Sequence, residues 1–251
     1  MRVTRRLGID VGGTGVKGNV VDVDSGETVA DRVRIATPHP ATPDAVAATV
    51  AEVAAAHDAE GPVGITLPSV VKDGRALTAA NIDPAWQGTD AVALFSGVLG
   101  DRRVFVVNDA DAAGIAEMRF GAGRGRGGTV VMLTLGTGIG SAVFLDERLV
   151  PNTELGHLEV DGFDAESRAS SAAREREGLS WGEWATRLNR YVQVVEALLW
   201  PDLVILGGGV SKKSSRWLPD LDVRTEVVVA DLRNQAGIVS AAMATVEDTS
   251  P

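Results

Sequence analysis

The 251-residue chain contains no cysteine. Disulfides and thiolate zinc sites are thereby excluded, and the composition suits a reducing cytoplasm. Long apolar runs are missing too. The N-terminal "MRVTRRLGIDVGG" is basic but has no core of signal-peptide length, and no later stretch reaches membrane-spanning length. A cytoplasmic protein without a membrane partner is expected. Positive charge is in deficit, with 24 Lys and Arg against 34 Asp and Glu. The resulting net charge of −10 argues against general affinity for nucleic acid. What remains is an ordinary globular composition, 45% hydrophobic and 23% charged, at a length that admits two domains.

Short β-branched runs alternate with longer helical patterns. Strands are predicted near Arg6–Val11, Val16–Asp22, Val29–Ala36, Val63–Leu67 and Arg103–Val107. Between them come a helix capped by Thr42 with Pro43 at its first position, and a helical stretch over Asp90–Leu99. A further helix runs from Ala110 to about Phe120. The second half repeats the order: strands at Thr129–Leu135, Gly140–Leu145, Arg148–Val150, Leu203–Leu206 and Glu226–Ala230. Its long helix begins at Ser180, which forms a capping box with Glu183. Trp184, Leu188, Tyr191, Val192, Val195 and Leu199 follow at 3–4 spacing, which makes them core. The expected architecture is a pair of α/β lobes, 1–110 and 111–235, with a final helix over 236–248 packing back on the first. The glycine-rich "GAGRGRGG" at Gly121–Gly128 is either a mobile joint or a plain connector.

Two glycine–threonine hairpins head the halves, "GIDVGGTGVKG" and "LTLGTGIGSA". Glycine permits positive φ and exposes backbone N–H groups, which suits phosphate oxygens; tight turns use the same residues. Neither is a Walker loop, because no G-K-[ST] opens a helix there. Asp10 precedes the first hairpin, where a carboxylate can hold magnesium directly or through water. "VFVVNDADAAG" puts Asn108 and Asp109 at the end of a buried strand, the usual ligand edge of an α/β sheet. Asp109 is there a general base for an alcohol or a helix N-cap. In "NTELGHLEVDG", Glu154, His157 and Glu159 fall within six residues, suited to sugar hydroxyls; as a metal set they are thin. "VILGGGVS" ends a strand in Gly207, Gly208 and Gly209, with Ser211 placed to cap the next helix. Lys212, Lys213 and Arg216, and secondarily Arg124 and Arg126, are either solvated loop charges or a local anion site.

Taken in order, "GIDVGGTGVKG", "VVNDADAAG", "TLGTGIGSA", "ELGH" and "LGGGVS" resemble the ROK sugar kinases. The resemblance spans about Leu7 to Ala241. It implies the two-lobed actin/hexokinase-like (ribonuclease H-like) α/β fold, with duplicated βββαβαβ halves and an interlobe cleft. It further implies phosphorylation of a hexose 6-hydroxyl, with Asp109 as catalytic base and magnesium as cofactor. Asn108, Asp109, Glu154 and His157 fall on sugar-binding positions, joined by Asn81 and Glu159. Gly12, Gly13, Thr14, Gly15, Lys17, Gly136, Thr137 and Gly138 fall on the phosphate loops, and Gly207–Gly209 on the adenosine region. A homodimer is also implied.

Two departures matter. The family commonly follows the "ELGH" histidine with a cysteine-rich zinc loop, which this chain lacks. Its repressors carry an N-terminal helix-turn-helix, whereas the first strand here is expected within six residues of Met1. "ANIDPAW", "ELGHLEVDG" and "GVSKKSSRWLP" are similar to the branch that phosphorylates glucose from inorganic polyphosphate, usually alongside ATP. That resemblance makes Lys212, Lys213 and Arg216 candidate polyphosphate contacts. An ATP-only hexokinase for glucose, mannose or N-acetylated sugars remains open, as does a non-catalytic sugar sensor. A filament-forming or chaperone-like ATPase of the same superfold is left little room by "ELGH".

Overall fold

The computed structural model describes residues 4–80, 82–100, 102–232 and 236–246. The chain divides into two compact units, Met1–Ala116 with Gln235–Pro251, and Glu117–Asn234. The first contains β1 (Arg5–Gly12), β2 (Gly15–Asp22), β3 (Val33–Ile35), α1 (Pro43–Ala55) and β4 (Val63–Leu67). These are followed by a small ribbon of β5 (Val71–Lys72) and β6 (Arg75–Ala76), then α2 (Ala91–Leu99) and β7 (Val104–Asn108). Next comes α3 (Asp109–Phe120), which contains the boundary between the units. The second unit holds β8 (Thr129–Leu135), β9 (Ile139–Leu145), β10 (Arg148–Val150), and a ribbon of β11 (Glu159–Val160) and β12 (Phe163–Asp164). After these come α4 (Ala165–Ala169), α5 (Ser171–Arg176), α6 (Trp181–Leu199), β13 (Leu203–Gly207) and β14 (Glu226–Val229). Helix α7 (Ala236–Met243) returns to the first unit.

The two main sheets share one plan. Their orders are β3-β2-β1-β4-β7 and β10-β9-β8-β13-β14. In each, the first three strands form an antiparallel meander and the last two add in parallel. Alternation along β1 sorts its faces. Leu7, Ile9 and Val11 join Val46, Val50, Val53 and Phe95 of α1 and α2 in one buried cluster. On the opposite face Gly8 and Gly64, which are register partners, seat α7. A Cβ on Gly8 would strike the carbonyl of Ile238, and one on Gly64 that of Ala241. The second core joins Leu133, Leu135, Val204 and Leu206 to Trp184, Leu188, Tyr191, Val192 and Val195 of α6. The Ser180–Glu183 capping box opens that helix as expected.

Three local expectations are corrected. The third strand is not Val29–Ala36 but Val33–Ile35, because exposed Val29 only donates back to Val20 and ladder pairing resumes at Val33 with Gly18. Thr42 is the N-cap of α1 and Pro43 opens the helix, as expected, with the Thr42 carbonyl accepting from Val46 and its side chain making no capping bond. Ser211 caps nothing: it lies inside a 3-10 helix, Gly209–Arg216, and its hydroxyl donates to the Gly208 carbonyl. Gly121–Gly128 lies within the second unit and is tied down. The buried Glu117 carboxylate accepts from the N–H groups of Ala122, Asp231 and Leu232, and Arg126 pairs with Glu226.

Candidate active site

The first hairpin joins Gly12 to its register partner Gly15 through Gly13 and Thr14, both exposed. The second has a longer turn, since Leu135 pairs with Ile139 across Gly136–Gly138. None of Gly12, Gly13, Gly15, Gly136 and Gly138 adopts a left-handed φ, contrary to the expected reason for glycine. Space is the reason instead. In both turns the glycine before the threonine, Gly13 or Gly136, has nothing within 4 Å of where a Cβ would stand. The glycine after it is pressed against a charged group: Gly15 against the Arg34 guanidinium and Gly138 against the Glu166 carboxylate. Each turn thus leaves open space over one glycine and is backed by a side chain, cationic in one and anionic in the other; in the second, the Gly136 N–H is already used, donating to the Gly138 carbonyl at 2.9 Å.

Register extends the first turn into a polar row. Asp10 faces Lys17, Lys17 faces Arg34, and Asp10 faces Thr66 on its other side. Lys17 Nζ lies 3.1 Å from Asp10 Oδ2, and the Thr66 hydroxyl donates to Asp10 Oδ1 at 3.0 Å. Arg34 also donates to the Thr14 carbonyl at 2.7 Å. Arg34 was not foreseen from sequence; its signal was the strand period that aligns it with Lys17. Among the described residues no group of three or more His, Asp or Glu side chains could hold a metal. A single carboxylate balanced by Lys17 fits a magnesium ion bound mainly by phosphate oxygens.

Around the second turn, Glu166 Oε2 accepts from the Ile139 N–H at 2.8 Å, and the Ala172 N–H of α5 donates to the Gly136 carbonyl. Gly208, at φ 89°, backs onto Leu135, where any side chain would strike the backbone. This packing brings the start of the 3-10 helix Gly209–Arg216 beside the turn. Lys212, Lys213 and Arg216 are exposed on that helix.

At the end of β7, Asn108 is buried and Asp109 is exposed. Asn108 Oδ1 accepts from the N–H groups of Ala110 and Asp111, and its Nδ2 donates to the Ser69 carbonyl at 3.0 Å. The capping of α3 therefore falls to Asn108, and Asp109 takes the first helical position with that task already filled. An open recess near Arg5, Arg6, Asp58 and Glu60 lies at the far end of β1 and gathers none of the candidate residues.

Glu154 and His157 are held by the second sheet. Ser141 Oγ accepts from the Leu155 N–H and donates to the Thr153 carbonyl. Gly156 is required for close approach, since a Cβ would collide with the Ile139 carbonyl. His157 Nδ1 is 2.9 Å from Asp164 Oδ2, and its Nε2 is 3.9 Å from Glu154. The hydrogen bond to Asp164 raises the His157 pKa above the ordinary histidine value, against burial and with help from Glu166, Asp164 and Glu154. Burial raises the Glu154 pKa, opposed by His157 and reinforced by Glu166. The carboxylate felt by both residues is thus Glu166, which sequence reasoning missed. Glu159 stands on β11 opposite Asp164, and Asn81 lies outside the described residues.

The chain is 52% identical over 244 residues to the polyphosphate glucokinase of Mycobacterium tuberculosis (strain CDC 1551 / Oshkosh), covering 97% of this chain and 92% of that one. Its structure is similar to the inorganic polyphosphate/ATP-glucomannokinase from Arthrobacter sp. strain KM, with a TM-score of 0.92 and 53% identity over 96% of this chain and 97% of that one. A ROK family glucokinase from Streptomyces griseus, in complex with glucose and AMPPNP, matches at a TM-score of 0.77 and 28% identity, over 96% and 98% of the two chains. Such neighbours share the actin/hexokinase-like fold implied by the sequence. Residues 6–178 match the ROK family, and the chain belongs to it.

Proposed function

We propose that this protein transfers the terminal phosphoryl group of inorganic polyphosphate, and of ATP, to the 6-hydroxyl of glucose. The observation that carries the reading is Asp109: exposed at the carboxyl end of a parallel strand, with helix capping assigned to Asn108. The names of the relatives at 50–53% identity support both donor and acceptor. Asp109 takes the proton of the 6-hydroxyl as that oxygen attacks the terminal phosphorus. One P–O bond forms to the sugar and one breaks to the donor, which leaves as polyphosphate shortened by one unit or as ADP. Glu154 and His157 bind sugar hydroxyls, joined by Glu166. The turns at Gly12–Gly15 and Gly136–Gly138 bind phosphate, with Lys17 and Arg34 adding positive charge at the first. Asp10 would hold magnesium, which offsets negative charge on the transferred group when bound.

The test is kinetic. Asp109→Asn should lower kcat by about 10²–10⁴-fold, while calorimetry still detects glucose binding. Normal turnover by that variant overturns the assignment of the base. Long-chain polyphosphate and ATP, supplied singly with glucose or mannose, resolve the substrates. Failure to form glucose 6-phosphate from polyphosphate overturns the donor.

A further inference from the structure

We propose that Arg174 and Lys213, gathered on the indole of Trp181, form a track that receives the phosphates of a long polyanion beyond the turn at Gly136–Gly138. This rests on the polyphosphate reading above and adds Arg174 and Trp181, which neither sequence motifs nor relatives' names assign, to the Lys212–Arg216 cluster. The Arg174 guanidinium lies 3.8 Å from the Trp181 ring centroid, and Lys213 Nζ lies 5.8 Å from the same centroid. Trp181 meets Trp184 edge-on at 5.7 Å, and Trp184 meets Trp217 in the same way at 5.7 Å. The inner two rings are pinned. Trp184 Nε1 donates to the carbonyls of Ala169 and Ser170, and Trp217 Nε1 donates to that of Val210. The stack therefore fixes α5 and the 3-10 helix Gly209–Arg216 to one frame.

Both elements border the second turn. Helix α5 is bonded to it through Ala172 and Gly136, and the 3-10 helix leaves from Gly208, packed on Leu135. Arg174 is two residues beyond Ala172. Among the described residues, Arg174, Lys212, Lys213 and Arg216 take part in no ion pair. Arg174 Nε has no hydrogen-bond acceptor either. In a chain of net charge −10, uncompensated cations on two neighbouring elements call for an anion. The need is local as well, because the carboxylate of Glu166 backs the turn that is to receive phosphate.

Stacking on an indole immobilises the guanidinium before a ligand arrives, which lowers the ordering cost of binding. The planar fork then presents paired N–H donors to phosphate oxygens. Cations that continue from Arg174 and Lys213 to Lys212 and Arg216 favour a donor that is still charged at that distance. A nucleoside triphosphate ends its charge after three phosphates, whereas a polyphosphate does not.

The experiment is calorimetric titration of long-chain polyphosphate and of tripolyphosphate at several salt concentrations, on the wild type, Arg174→Ala, Arg174→Lys, Trp181→Phe and Trp181→Ala. Arg174→Ala should weaken long-chain binding by about tenfold or more. It should also reduce the slope of log Kd against log salt by about one. Tripolyphosphate should lose less. Arg174→Lys should keep the slope while losing part of the affinity, and Trp181→Phe should retain more affinity than Trp181→Ala. Melting curves separate misfolding from a binding loss, and the two conservative variants carry the test if an alanine variant fails to fold. Long-chain binding by Arg174→Ala within twofold of wild type, at unchanged slope, overturns the track, and so does absence of wild-type binding. Wild-type binding without glucose 6-phosphate formation overturns the reaction but leaves the track to the same comparison.

Discussion

His157 presents two nitrogens in different settings, Nδ1 against Asp164 at 2.9 Å and Nε2 toward Glu154 at 3.9 Å. Asp164 also caps α4 through the Ser167 N–H, so its carboxylate is held from two sides. With its folded pKa raised, His157 contributes stability that is complete below the ordinary imidazole value and is lost as pH rises through the higher folded value. Asp164→Asn should move the His157 titration downward and close that window. The chain has three histidines, so imidazole NMR signals recorded against pH can be assigned; an unmoved His157 titration would refute the coupling. At this scale the candidate site was legible in the sequence where its residues are neighbours along the chain, as at Asn108–Asp109 and Glu154–His157. It was not legible where the partner is distant: Glu166 meets the Ile139 N–H 27 residues away, and Arg34 meets Thr14 at a separation of 20.

Helix α7 shows how an element is placed by what neighbouring strands lack. Gly8 and Gly64 stand side by side, and their missing side chains let the helix backbone approach the sheet. Gly64→Ala should therefore destabilise by about 3 kcal/mol, read from urea unfolding. Gly97 has the same chemistry in another setting, since it is exposed in α2 with nothing within 4 Å of its would-be Cβ. Gly97→Ala should stabilise by roughly 0.5–1 kcal/mol. Equal effects from the two substitutions would refute this account. The strands were readable because buried parallel strands such as Val63–Leu67 are continuous apolar runs. Helices α4 and α5 escaped notice because their short, charged sequences carry little apolar periodicity. Their caps, Asp164 and Ser170, were the only local signals.

At the scale of the whole chain, sequence similarity between the hairpins understated the duplication in one respect and overstated it in another. The two sheets repeat strand order and pairing sense throughout. The turns differ in length, and only the first carries the row Asp10–Lys17–Arg34. The repeated order was visible in alternating apolar runs, whereas turn length depends on register, which composition does not set. The second unit is continuous in sequence, while the first is closed by residues that follow it. During synthesis, the 117–234 segment can complete its own core as soon as it emerges. The earlier-made β1 and β4 must wait, with the face around Gly8 and Gly64 uncovered, until α7 arrives. Chains halted before residue 236 should accordingly be cleaved by protease in the first unit and resist it in the second; the opposite pattern would refute this order. The unit begun earlier is then the one completed later, and the newborn protein depends on α7 for a sheet laid down long before it.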